Sequence, residues 1–315
     1  MNPMMKSPRS AREPIQSIWK LGSLSVRQLT SRVIRGINED DLLGRASQLA
    51  FNFILAIFPF MIFLLALFGI FASHRAALVQ NFLSYVSVAL PPAAFRLFSE
   101  TVREIIQRTD GGKLTFAFVL ALWFASGGMS SMMSTLNGVY RVHDSRSFLK
   151  YRGQALALTA AIPVLVLAAL ALVLIGGHTA NFFADKSHMQ SAVVTVRRIV
   201  EWVAVLFFLS LAFSLIYYFG PDLKEQRWYW ITPGSVVGVL LWLAASGGFR
   251  TYLHFFNTYT DIYGSLTGVM ILLIWFYVAG LAFLIGGEIN AQIERAAGAH
   301  GHPEPKNPAQ SQYHS

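Results

Sequence analysis

IYGSLTGVMILLIWFYVAGLAFLIGG, residues 262–287, runs from Asp261 to Glu288 without one charged side chain. An α-helix rises 1.5 Å per residue, so roughly 20 residues cross a hydrocarbon core of about 30 Å. Five more uncharged runs of at least 20 residues lie upstream: Ala46–Ser73, Leu114–Tyr140, Gly153–Ala184, Trp202–Pro221 and Trp228–Phe249. Lipid offers no partner for backbone N–H and C=O groups, so unbroken apolar runs point to helices, whereas a β-barrel would show short alternating segments. The expectation is an all-α membrane protein with six transmembrane helices, at about 47–72, 114–138, 154–177, 201–220, 231–249 and 265–287.

Composition agrees. Of the 315 residues, 54% are hydrophobic and 13% charged, about half the charge of a soluble domain. The net charge is +9, and eight of the 25 basic residues precede Ala46. That distribution fits attraction to anionic lipid headgroups and a cytoplasmic N-terminus, rather than nucleic-acid binding. The chain has no cysteine, which excludes disulfides, thiolate catalysis and Cys-ligated metals. No short apolar stretch followed by small residues opens the chain, so no signal peptide is expected.

Around the spans, residues 1–45 form a basic cytoplasmic segment in which Ile15, Ile18, Trp19, Val26, Leu29, Val33 and Ile37 recur at helical spacing. This predicts an amphipathic helix in the interface, leading into the first span. Residues 46–290 make up the membrane domain. Within it, 76–108 read as an external amphipathic helical hairpin: Val79, Phe82, Leu83, Val86 and Leu90 stripe one half, Pro91-Pro92 break it, and Leu97, Val102 and Ile105 stripe the other. A re-entrant hairpin is the alternative. Residues 291–315 read as a cytoplasmic, mostly disordered tail. Orientation follows from short-loop charge. Arg141, Arg146, Lys150, Arg152, Lys224 and Arg227 follow spans two and four, against Lys186, Arg197, Arg198 and Arg250 after spans three and five. Both termini are therefore expected in the cytoplasm.

Spans two and five carry the triplets Ser126-Gly127-Gly128 and Ser246-Gly247-Gly248, and spans three and six carry Leu174-Ile175-Gly176-Gly177 and Leu284-Ile285-Gly286-Gly287. The order is that of a 3+3 inverted repeat, as in many secondary transporters. Close packing of membrane helices also selects Gly and Ser, and explains the same pattern without a repeat. Pro59 and Pro163 are expected to kink spans one and three, and Pro233-Gly234 to open span five.

No HExxH, GxSxG or P-loop pattern is present, and the eight histidines do not cluster at metal-ligand spacing. No catalytic, cofactor-binding or metal residue is assigned, and no cofactor is called for. Polar residues near the membrane are the candidates instead, because each costs free energy unless paired or solvated. Gln48 and Asn52 lie one turn apart, Asn137 ends span two, and Glu288 and Asn290 follow span six. Arg250, His254, Asn257 and Asp261 are spaced four, three and four and share one helical face. Together they make a candidate polar pathway, or a structural clamp built on Arg250 and Asp261.

The motifs Asp41-Leu42-Leu43, Ala50-Phe51 and Phe58-Pro59 resemble the first span of the YihY/BrkB family. Leu122-Trp123-Phe124-Ala125-Ser126-Gly127-Gly128, Leu136-Asn137 and Tyr140 resemble its second span, and Arg146-Ser147-Phe148 with Tyr151-Arg152 the loop that follows. Ile262-Tyr263-Gly264-Ser265-Leu266 and Gly286-Gly287-Glu288-Ile289-Asn290 are the strongest match. The resemblance implies a bacterial inner-membrane protein of six spans. Some family members carry a ribonuclease label, which these residues do not support, and the family has been linked to envelope lipid export. The expected function is transport or export of an envelope lipid or small solute, with membrane lipids as partners, no nucleic acid and no enzymatic activity. A partner-binding envelope scaffold is the alternative. Oligomeric state is not legible.

Overall fold

The computed structural model describes residues 19, 21, 24–72, 99, 111–184, 190–223, 228–255 and 267–299. All regular structure among them is helical. In chain order the helices are α1 (Val26–Glu39), α2 (Leu42–Ala72), α3 (Gly111–Val139), α4 (Phe148–Ala184), α5 (Gln190–Phe219), α6 (Pro233–Phe255) and α7 (Thr267–Ala299). Each of the six apolar runs falls on one of α2 to α7. Apart from Ser99, the 76–108 hairpin lies outside the described residues, as does the tail beyond Ala299.

Four helices are long and apolar enough, by their described residues, to cross a membrane: Phe118–Val139, Phe148–Ala169, Arg198–Phe219 and Thr267–Ala297. Most of each is not buried inside the protein. Large apolar side chains such as Phe51, Leu55, Phe124, Trp202 and Val203 point outward, which water would penalise and lipid does not. The other two long helices are α2, with 31 residues, and α6, with 23. Both α2 and α4 continue through Pro59 and Pro163. Each proline removes a backbone hydrogen bond without ending its helix.

Helices adjacent in sequence pack side by side from α2 through α7, and α7 returns to α2, closing a ring. The two proposed halves are packed unequally, because α2 meets α3 along far more of its length than α5 meets α6. The paired triplets differ as well. Gly128 faces Ala56 and Phe53 of α2, whereas Gly247 and Gly248 have open space.

The core gathers at one end of the ring. Leu42, Leu49, Leu136, Val139, Tyr217 and Leu284 are buried there. They bring together the start of α2, the ends of α3 and α5, and the later part of α7. Where these side chains would otherwise meet lipid, burial gains packing contacts rather than escape from water.

Two boundaries differ from expectation. Helix α1 begins at a reciprocal cap: Gln28 N donates to Ser25 Oγ at 3.3 Å, and Ser25 N to Gln28 Oε1 at 2.9 Å. Its stripe is not left wholly to the interface, because Val33 packs on Ile289 and Ile293 of α7. The same contact carries α7 past the expected span end at 287, to Ala299. Residues 291–299 are thus helical, with Ala291, Ile293 and Ala296 buried, within the stretch the sequence assigned to the cytoplasmic tail.

Candidate functional site at the charged end of the bundle

Charge concentrates at the end where the core lies. The α1–α2 corner is tight. Asp41 takes a left-handed backbone (φ 48°), which Asp tolerates better than most residues. Its carboxylate accepts from Gly44 N at 3.2 Å and so starts α2. Asp40, buried, points the other way. Arg141 donates to it through Nε at 2.7 Å, and also reaches Glu39 at 2.8 Å. These two hydrogen bonds raise the Arg141 pKa above its ordinary value. Arg141 is itself left-handed (φ 56°), so the turn after α3 is strained to bring its guanidinium to the corner.

A second network ties the α3–α4 turn to the end of α5. The Arg146 side chain is only 3% exposed. It forks onto Asp144, with Nε at 2.9 Å from Oδ1 and Nη2 at 2.6 Å from Oδ2. Its remaining donors reach Gln154 Oε1 at 2.9 Å and the carbonyls of Phe219 and Gly220 at 3.3 and 3.0 Å. Arg146 thereby satisfies carbonyls that α5 leaves unpaired at its C-terminus. The Asp144 carboxyl is held below the usual carboxylate range, first by Arg146. Asp222 is lowered too, first by the Ser145 hydroxyl, which donates to it at 2.7 Å.

Asn137 belongs to this network. Its Nδ2 donates to Asp144 at 2.8 Å, and its Oδ1 accepts from Asp222 N at 2.8 Å. Asn290 does a similar task at the start of α6. Thr232 and Ser235 cap one another there, each backbone N donating to the other hydroxyl at 3.0 Å. Asn290 accepts from Gly234 N and donates to Thr232 Oγ1, both at 2.9 Å. Pro233 occupies the first helical position, where its missing N–H costs nothing. Each asparagine thus uses one amide N–H and its amide oxygen to tie a turn or helix start in place.

The other candidates are scattered. Asn52 is half-buried and donates to the Gln48 carbonyl at 2.8 Å, one turn back in its own helix. Arg250 is exposed on α6. Asn257 and Asp261 lie outside the described residues, as does the His254 side chain, so the Arg250–Asp261 face is not assembled among the described residues. Glu288 is fully buried and paired with Arg295 at 3.1 Å. Among the described residues, no group of three or more His, Cys, Asp or Glu is arranged to hold a metal ion.

Sequence reasoning missed Asp40, Asp222 and Arg295, and used Arg141 to set orientation and Arg146 for orientation and the family motif, without pairing either to an acid. A signal was available, since each basic turn at this end also carries an acid: Glu39 and Asp40, Asp144, Asp222.

Comparison with known proteins gives a coherent result. The chain is 30% identical to the putative ribonuclease-like protein YfkH of Bacillus subtilis, over 86% of this chain and 94% of that protein. It is 28% identical to a UPF0761 membrane protein of Vibrio vulnificus, over 86% and 83% of the two chains. For a UPF0761 membrane protein of Idiomarina loihiensis the values are 26%, 73% and 78%. No solved structure matches the chain. The family model described as Virulence factor BrkB matches residues 33–311, nearly the whole helical bundle and its charged end, and the chain is a membrane protein of the BrkB family.

Proposed function

We propose that the chain crosses a bacterial cytoplasmic membrane six times, with both termini and the charged end in the cytoplasm, and moves an envelope lipid or small solute rather than acting as an enzyme. The supporting observation is a closed ring of helices with outward-facing apolar side chains, drawn shut at one end by the ion pairs Arg141–Asp40 and Arg146–Asp222 between its turns. The half-exposed Arg141–Glu39 pair in that closure is suited to a gate, because ion pairs at a wet surface can be exchanged for water at modest cost. The partners are membrane lipids and the transported species, and no nucleic acid is involved. A 3+3 inverted repeat rests on the matched Ser-Gly-Gly and Leu-Ile-Gly-Gly stretches alone.

A specific observation favours a second reading, an envelope scaffold: Asn137 and Asn290 are buried and hydrogen-bonded to a turn and a helix start. Profiling lipids and metabolites of a deletion strain separates the two. Transport predicts that one lipid or solute class accumulates and that a plasmid-borne copy restores its level. Unchanged pools overturn transport and leave the scaffold.

A further inference from the structure

Glu288 is 0% exposed although it carries a carboxylate. Its Oε1 accepts from Gln292 Nε2 at 2.6 Å, and Arg295 Nη2 lies 3.1 Å from both carboxylate oxygens. Gly36 of α1 faces it so closely that any side chain there would fall on the carboxylate. The same Arg295 nitrogen is 3.8 Å from Asp40 Oδ2. Arg295 thus stands between two carboxylates, one in its own helix and one at the α1–α2 corner. Asp40 already has Arg141, whereas the Glu288 pair has only Arg295. Beside them the Tyr140 hydroxyl, in a residue 6% exposed, is buried without a hydrogen-bond partner.

We propose that Glu288 is a proton-binding site and Arg295 a two-position latch. With Glu288 charged, Arg295 closes onto its own helix. When a proton from water adds to a Glu288 oxygen, the carboxyl becomes neutral, and Arg295 is left to Asp40. One proton is taken up from water and the net charge rises by one; no covalent bond of the protein breaks, and the Glu288–Arg295 ion pair is exchanged for Arg295–Asp40. A buried carboxylate with a single cationic partner is poised for this exchange, since burial penalises the charged form while the partner favours it. The other groups facing Glu288 do not supply a second cation in direct contact. Asp40 comes from the α1–α2 corner, Tyr140 and Arg141 from the α3 end, and Gln292 from α7. Glu39 and Arg45 lie behind Arg141 and Asp40, and Tyr217 and Glu294 act on Tyr140. Arg45 is engaged by the Asp40 carbonyl at 2.7 Å, and Arg141 by Glu39 and Asp40. Arg295 is 30% exposed by its side chain, which gives water a route to the pair.

The inference rests on this geometry and not on the transport reading. Infrared difference spectroscopy of the purified chain in lipid nanodiscs, taken from about pH 8 to about pH 5, tests it without a substrate. A protonated-carboxyl band should titrate in the wild type and be lost in Glu288→Gln. Glu288→Asp, which keeps the acid, should retain a shifted band and guards against misfolding of the amide variant. In Asp40→Asn the second acceptor for Arg295 is gone. Proton affinity at Glu288 should then fall by about tenfold, one pH unit. A wild-type spectrum identical to that of Glu288→Gln, or a band unmoved by Asp40→Asn, would overturn the proposal.

Discussion

Arg146→Ala should lower the stability of the folded bundle by about 3–5 kcal/mol, the range for breaking a buried ion pair from one side. The substitution leaves Asp144 charged with its fork partner gone. It also strips a donor from the carbonyls of Phe219 and Gly220 at the end of α5. Arg146→Lys keeps the charge but cannot supply a planar fork to a carboxylate and two carbonyls at once, so it should recover less than half of the loss. Adding Asp144→Asn to Arg146→Ala should cost much less than the sum of the single changes, because the orphaned charge is removed. Thermal melting in nanodiscs measures each value. An Arg146→Ala protein within about 0.5 kcal/mol of wild type would mean that the turn is held by something else.

The second large effect is expected where α6 and α7 touch through backbone. A Cβ on Gly286 would lie 2.6 Å from the Gly234 carbonyl oxygen and 3.0 Å from Gly238 Cα. It would also press on the Tyr217 hydroxyl, which donates to the Phe283 carbonyl at 2.6 Å. Neither backbone atom can swing aside as a side chain would, so the helices must separate. That separation opens the Asn290 cap on Gly234 N. Overpacking costs about 1–3 kcal/mol, and the strained cap adds to it. Gly286→Ala should therefore lose about 3 kcal/mol, and Gly286→Val should fail to accumulate. Gly247→Ala is the control, because nothing lies near its Cβ position; it should stay within about 1 kcal/mol of wild type. Equal melting of the Gly286 and Gly247 variants would contradict the close approach.

The long helices were legible because lipid excludes charge, so uncharged runs mark them directly. Pro233 was legible as a helix start for the same local reason that proline suits a first turn. Pairings between distant segments were not. Arg141 and Asp40 are 101 residues apart, and Ser145 and Asp222 are 77; no spacing rule links them. Asn137 and Asn290 illustrate the ambiguity within the candidate site. A polar residue at a span end reads alike whether it lines a path or caps a helix, and only its partners decide. Helix α1 shows the opposite error: its stripe was read correctly as apolar, but periodicity does not say whether lipid or α7 covers it. The α7 extension follows from that contact, which is why the span end at 287 did not stop the helix.

The central claim is that the ion-paired end faces the cytoplasm of a six-span bundle. Since the chain lacks cysteine, a single introduced thiol can be located with a membrane-impermeant maleimide. His143→Cys, exposed in the α3–α4 turn, should react in inside-out vesicles and stay unlabelled in intact spheroplasts. Ser187→Cys, between α4 and α5, should do the reverse. Labelling of both positions from the same side would contradict the account, because α4 would then not cross the membrane.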